Sequence, residues 1–271
     1  MRKLMISISG IFILGVVFSG CASNGIQVTQ AECLNKPSVN NMFVAGECLN
    51  YEKFDGHKKG KVIVFLHGSS TSFPNPISYV FDWGQNLKSR TGVTTYILNL
   101  PGYAGSSANN WYRMYQTGRS YNAVNPGFVK FTADMLQSIK EREESSELYV
   151  VGHSSGATLA ATISGYKPGL IQKVMAYEGN YDVDYYRAIR GWSNKYHATD
   201  FMTYKDEIDK KTKFLNMYGM KSTKSKPEES LRFTKMLKEN GLFVKTIAYP
   251  EMGHNMYEDE VFDEVVKFVN N

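Results

Sequence analysis

The sequence predicts an α/β fold: a mostly parallel, doubly wound sheet with helices on both faces. Three observations carry this. Short runs of β-branched and apolar residues recur along the chain, as in strands buried on both faces of a parallel sheet. Amphipathic stripes at helical spacing lie between them, and such alternation builds right-handed strand–helix–strand units. The 271 residues suffice for one such unit with a core of its own. A composition of 42% hydrophobic and 21% charged residues excludes a mostly disordered or collagen-like chain. The net charge of +5 comes with no dominant Lys/Arg run, so no nucleic-acid partner is implied.

Residues 1–20 stand apart. Arg2 and Lys3 precede an apolar stretch from Leu4 to Gly20, the pattern of a secretory signal. The stretch ends Phe18-Ser19-Gly20-Cys21, which resembles the lipobox of bacterial lipoproteins, with Phe18 where Leu is usual. The resemblance implies a diacylglycerol on Cys21, an acylated amine, and anchoring to a membrane of the cell envelope. Ala22 rather than Asp after the cysteine points to the outer membrane where the cell has one. Removing residues 1–20 takes away two bases and no acid, so +5 becomes +3. Residues 21–40 are polar and read as a tether, with 41–271 as the folded domain. Of three cysteines, Cys33 and Cys48 then remain, a possible disulfide in an oxidising compartment.

The expected strands are Val62–Leu66, Val93–Leu98, Leu148–Val151, Lys173–Tyr177, Phe214–Tyr218 and Leu242–Tyr249. Phe128, Phe131, Met135 and Ile139 mark one helix face, and Val261, Val265, Phe268 and Val269 another. Pro227 opens a third helix and Gly241 stops it. Between 179 and 212 the alternation breaks. This insertion carries Tyr181, Tyr185, Tyr186, Trp192, Tyr196, Phe201 and Tyr204, and reads either as a packing element or as a cap over a pocket.

Gly152-His153-Ser154-Ser155-Gly156 matches G-x-S-x-G, between an apolar strand and a small-residue run suited to a helix. That setting places a serine on a sharp strand-to-helix turn, its hydroxyl above the sheet at a helix N-terminus. A serine hydroxyl needs a base within hydrogen-bond reach. His153 lies inside the turn, His67 after a strand, His57 in a Lys/Gly loop and His197 in the insertion. His254, between the last strand and the last helix, is left as the base. Two backbone N–H groups must meet a developing oxyanion, and Ser155 and Ser69 are the candidates. Neither a metal-ligand cluster nor a phosphate loop is apparent, so no cofactor is implied.

From about Met42 to Asn271 the chain resembles the α/β-hydrolase superfamily. The residues that carry this are His67-Gly68, Leu100-Pro101-Gly102-Tyr103-Ala104-Gly105-Ser106-Ser107, the serine turn and Gly253-His254. Asn99 stands where many members have Asp. The common G-x-x-D acid is absent: the stretch reads Gly219-Met220-Lys221-Ser222, so Ser222 holds the acid's place. Some members, haloalkane dehalogenases and pancreatic-type lipases among them, place the acid after the preceding strand. Here that gives Glu178, with Asp182 as the alternative. The resemblance implies a serine hydrolase with Ser154, His254 and Glu178 as its triad and a small acyl compound, a carboxylic ester first, as substrate. An amide or small-peptide hydrolase, and a non-catalytic binding lipoprotein on the same scaffold, stay open.

Overall fold

A computed structural model describes residues 27–36, 40–69, 78–103, 105–110, 124–192 and 198–271. The expected signal segment and Cys21 lie outside the described residues. Eight strands form one sheet: β1 (Asn40–Val44), β2 (Glu47–Phe54), β3 (Lys58–Leu66), β4 (Val93–Leu98), β5 (Glu147–His153), β6 (Lys173–Tyr177), β7 (Lys213–Gly219) and β8 (Phe243–Tyr249). Their order is β1-β2-β4-β3-β5-β6-β7-β8. The β1–β2 and β2–β4 pairs are antiparallel, and every pair from β4 through β8 is parallel.

The continuous apolar runs reflect burial on both faces. In β3, Val62, Val64 and Leu66 join one core with α3 (Pro126–Arg142), α4 (Ser155–Tyr166) and α7 (Pro227–Glu239). Ile63 and Phe65 join a second core on the opposite face, with α2 (Ser78–Thr91) and α8 (Asp259–Asn270). There Trp83 of α2 meets Phe262 of α8 edge to face. The sheet is thus doubly wound, as the alternation of strand and helix predicts. The helix α2 was not anticipated, because Gly84 interrupts its pattern. The glycine is there for packing: a Cβ would come within 2.5 Å of Phe54 and 2.7 Å of Ile97.

The N-terminal segment departs from the tether expectation. Thr29 caps a short helix, α1 (Gln30–Leu34), in a reciprocal capping box with Glu32. Cys33 and Cys48, both fully buried, are joined in a disulfide. Asn109 takes the Val28 N–H on its side-chain oxygen and donates to the Val28 carbonyl. Buried Glu47 receives Ser107 Oγ and the N–H groups of Asn109 and Asn110. Residues 28–36 therefore belong to the folded body, and β1 begins at Asn40, within the span read as tether. The hairpin joining β1 to β2 escaped the sequence reading because its turn is Ala45-Gly46, both at positive φ, rather than an Asn-Gly or Asp-Gly pair.

Two further helices, α5 (Val183–Ala188) and α6 (Phe201–Tyr204), lie in the insertion. Its described aromatic residues make packing contacts. Tyr181 stacks on Phe233 of α7 with ring centroids 3.6 Å apart, and Phe201 meets the same ring edge-on. Tyr185, Tyr186 and Trp192 carry the guanidinium groups of Arg232, Arg190 and Arg187. Tyr196 lies outside the described residues. Among the described residues no helix is long and apolar enough to cross a membrane.

Candidate active site

Strand β5 ends at His153 and α4 begins at Ser155, leaving Ser154 on the turn at φ +54°, ψ −118°. Ser154 N–H donates to the Tyr177 carbonyl at 2.9 Å, which ties the turn to the end of β6. Such a φ costs a non-glycine residue of order 1–3 kcal/mol and persists only where its surroundings hold it. The turn needs the following glycine for a different reason. A Cβ on Gly156 would stand 2.0 Å from the Leu66 carbonyl oxygen, so only glycine lets α4 approach the end of β3.

Three chain segments converge on this turn. His254, in the loop between β8 and α8, places Nε2 3.0 Å from Ser154 Oγ. Its Nδ1 is hydrogen-bonded to Oε2 of Glu178. Glu178 follows β6 and is fully buried. Its backbone is also at φ +54°, held by its own N–H to the Met217 carbonyl at 3.1 Å and by Ser225 Oγ donating to its carbonyl at 2.9 Å. Both oxygens of the carboxylate are engaged: Oε1 accepts the Gly219 N–H at 2.8 Å, and Oε2 accepts the Ser222 hydroxyl at 2.6 Å. Ser222, at the place of the missing G-x-x-D acid, thus supports the acid that replaces it. Asp182 is engaged elsewhere. It caps α5 by accepting the Tyr185 N–H and pairs with Arg232 at 2.8 Å. Of the two candidate acids, the structure brings Glu178 to His254.

Ser155 is the first residue of α4, so its N–H belongs to the helix turn that has no intrahelical partner. Ser69 faces it across the site, its hydroxyl donating to Ser155 Oγ at 2.9 Å. The loop that carries Ser69 is fixed by His67. Leu100 N–H donates to His67 Nε2 at 3.2 Å, so Nδ1 carries the proton and donates to the Gly68 carbonyl at 2.7 Å. Burial holds this imidazole neutral and pushes its pKa down to about 4. Beside the two serines a cleft is lined by Leu100, Tyr103, Phe128 and Leu159 together with His67 and Gly68. None of these comes from the 179–212 insertion, and none carries a formal charge while His67 is neutral. Among the described residues no group of three or more His, Cys, Asp and Glu side chains is arranged to hold a metal ion.

Ser154, His254 and Glu178 are thus brought together, with Ser69 and Ser155 beside the same cleft, and the Cys33–Cys48 disulfide lies at the β1–β2 edge of the sheet. Sequence reasoning did not assign Ser222 or Ser225 to the site, nor Tyr177, whose hydroxyl donates to the Gly253 carbonyl at 2.9 Å.

Solved structures share this fold. An acylaminoacyl peptidase of Pyrococcus horikoshii matches with a TM-score of 0.65 and 14% identity, over 86% of this chain and 41% of that one. The chain therefore spans about two fifths of that peptidase. An esterase of Pyrococcus furiosus matches with a TM-score of 0.64 and 14% identity, over 89% of this chain and 95% of that one. A dipeptidyl peptidase 4 of Porphyromonas gingivalis matches with a TM-score of 0.64 and 13% identity, over 85% of this chain and 35% of that one. A search of curated protein sequences finds no match. A family model described as alpha/beta hydrolase fold matches residues 61–198. That span is just over half of the chain, and with the sheet order and the serine turn at its centre it makes this protein a member of the alpha/beta hydrolase family.

Proposed function

We propose that this hydrolase is a serine esterase working through an acyl-enzyme. The observation that carries the reading is the continuous relay from Ser154 Oγ through the His254 ring to the buried carboxylate of Glu178. In the proposed reaction Ser154 Oγ attacks the ester carbonyl carbon while His254 Nε2 takes its proton. The N–H groups of Ser69 and Ser155 receive the oxyanion. Glu178 holds the Nδ1–H tautomer and balances the imidazolium. The tetrahedral intermediate collapses as the C–O bond to the alcohol breaks, and His254 returns the proton to the departing oxygen. Water then attacks the acyl carbon, gives a proton to His254, and releases the acid as Ser154 regains it.

The uncharged, aromatic and aliphatic lining of Leu100, Tyr103, Phe128 and Leu159 suits an apolar acyl group. Extent supports an ester: this chain spans nearly all of the protein named an esterase and only 41% and 35% of the two named peptidases. The test is labelling with a fluorophosphonate, followed by turnover of p-nitrophenyl acetate and of the matching p-nitroanilide. Wild type labels, Ser154→Ala does not, and the ester is turned over faster. A folded wild type that takes no label would leave a binding protein on a hydrolase scaffold. Faster turnover of the anilide would make the protein an amidase. We further propose that the domain is held at the cell envelope by lipid on Cys21, on the strength of the Ser19-Gly20-Cys21 sequence and the charged and apolar stretch before it.

A further inference from the structure

His153, the variable residue before the nucleophile, has no part in the relay. Its ring nevertheless touches the base's loop at two places. Nε2 lies 2.8 Å from the carbonyl oxygen of His254, and Nδ1 lies 3.2 Å from the Tyr257 hydroxyl. A carbonyl can only accept, so Nε2 carries the proton and Nδ1 accepts from Tyr257. The ring is neutral in this arrangement. Desolvation, then the adjacent His254, pushes its pKa down to about 3. Neutrality matters because its ring centroid is 5.0 Å from that of His254, which becomes an imidazolium during turnover.

A base on a loop needs more than partners for its ring. Ser154 and Glu178 hold the two nitrogens of His254, and these bonds exist only if the backbone beneath delivers the ring to them. Two consecutive carbonyls of that backbone are held from the sheet. Tyr177, the last residue of β6, holds that of Gly253, and His153, the last residue of β5, holds that of His254. His153 and Ser154 are neighbours in sequence. The strand that presents the nucleophile therefore also holds the base, and the gap between them is set within one rigid element.

We propose that His153 is a positioning residue that fixes the distance between nucleophile and base by tying the His254 backbone to the nucleophile's own strand. The inference rests on the serine-hydrolase reading above. A Gln side chain can put its amide N–H near the place of His Nε2, whereas the Asn amide reaches only as far as Nδ1. Gln therefore keeps the tie, and Asn and Leu lose it.

The experiment is steady-state hydrolysis of p-nitrophenyl acetate by His153→Gln, His153→Asn and His153→Leu, each checked for wild-type thermal unfolding. Because a misplacement near 1 Å costs about 100-fold, His153→Asn and His153→Leu are expected to lose about that much kcat with KM changed less than about twofold, while His153→Gln stays within about fivefold of wild type. Wild-type kcat in His153→Leu, or a loss in His153→Gln as large as in His153→Leu, would overturn the proposal. A second measurement does not depend on activity. The downfield Nδ1 proton resonance of His254 should stay in place in His153→Gln and broaden or move in the other two. An unmoved resonance in all three variants overturns the tie. Absence of fluorophosphonate labelling in wild type would instead strike the functional reading, with the resonance still reporting on the tie.

Discussion

Glu178 sits at a backbone angle of +54°, fully buried, and five groups converge on its carboxylate and backbone to keep it there. Losing the negative charge would leave His254 free to take the wrong tautomer. Glu178→Gln is therefore expected to lower kcat by about 10³–10⁴-fold with fold intact. Asp182→Asn, which disturbs only a helix cap and an ion pair with Arg232, should leave kcat within about threefold and cost about 1 kcal/mol in urea unfolding. The reverse ranking would move the acid to Asp182. At this scale the sequence was legible where chemistry demands a particular residue in a particular order: Ser154, then an acid, then His254. It was silent on Ser222 and Ser225. A hydroxyl that supports a carboxylate 44 residues away has no local signature, and only the folded loop brings the two together.

At the scale of elements, the parallel strands were legible because burial on both faces leaves an unbroken apolar run. Strands β4 and β6 match their expected bounds residue for residue. The antiparallel edge was not. Strand β2 reads Glu47-Cys48-Leu49-Asn50-Tyr51-Glu52-Lys53-Phe54, and its polar groups are engaged by loop contacts, such as the Asn50 N–H donating to Ser106 Oγ, that leave no periodic trace. The α1 segment looked like a tether because five residues cannot show a helical stripe. What secures it is the bond from Cys33 to Cys48, closing a 15-residue loop. Closing a loop of that length stabilises by about 3 kcal/mol in the chain-entropy account. The Cys33→Ser, Cys48→Ser double variant should lose about that much in urea unfolding. An unchanged midpoint would show that the capping box and the Asn109 contacts suffice alone.

For the whole molecule, the two neutral histidines at the site set a response to acid. An unfolded chain binds protons on His67 and His153 below pH 6.5, whereas the folded protein resists until about 4 and about 3. Stability is thus undiminished by these groups above pH 6.5 and falls as the pH drops from there towards 4. Each contributes a slope of about 1.4 kcal/mol per pH unit. Asp200 and Glu229, pushed up by burial, act in the opposite sense, and they cancel when two variants are compared. His153→Gln should show a shallower loss by about one proton between pH 6 and 4 in urea titrations. Equal slopes would show that His153 titrates freely. The proposed anchor is tested on the whole chain as well. Cys21→Ala should shift the protein from the membrane pellet to the soluble fraction, and retention in the pellet would remove the lipid from the account.

A protein held at its N-terminus carries load through whatever element the chain enters first. Were the chain free of its cross-link, a pull would strip the Val28–Asn109 contacts and α1, then arrive at β1 and peel it from β2 one hydrogen-bonded pair at a time, the weakest way to load an antiparallel edge. The bond between Cys33 and Cys48 reroutes that force. Tension passes along residues 27–33 and crosses directly into β2, so residues 34–47, β1 among them, hang slack inside a covalent loop. Reducing that one bond would convert a hard mechanical attachment into an unzipping one, and a single-molecule pulling experiment would read the change as a new low-force release of β1.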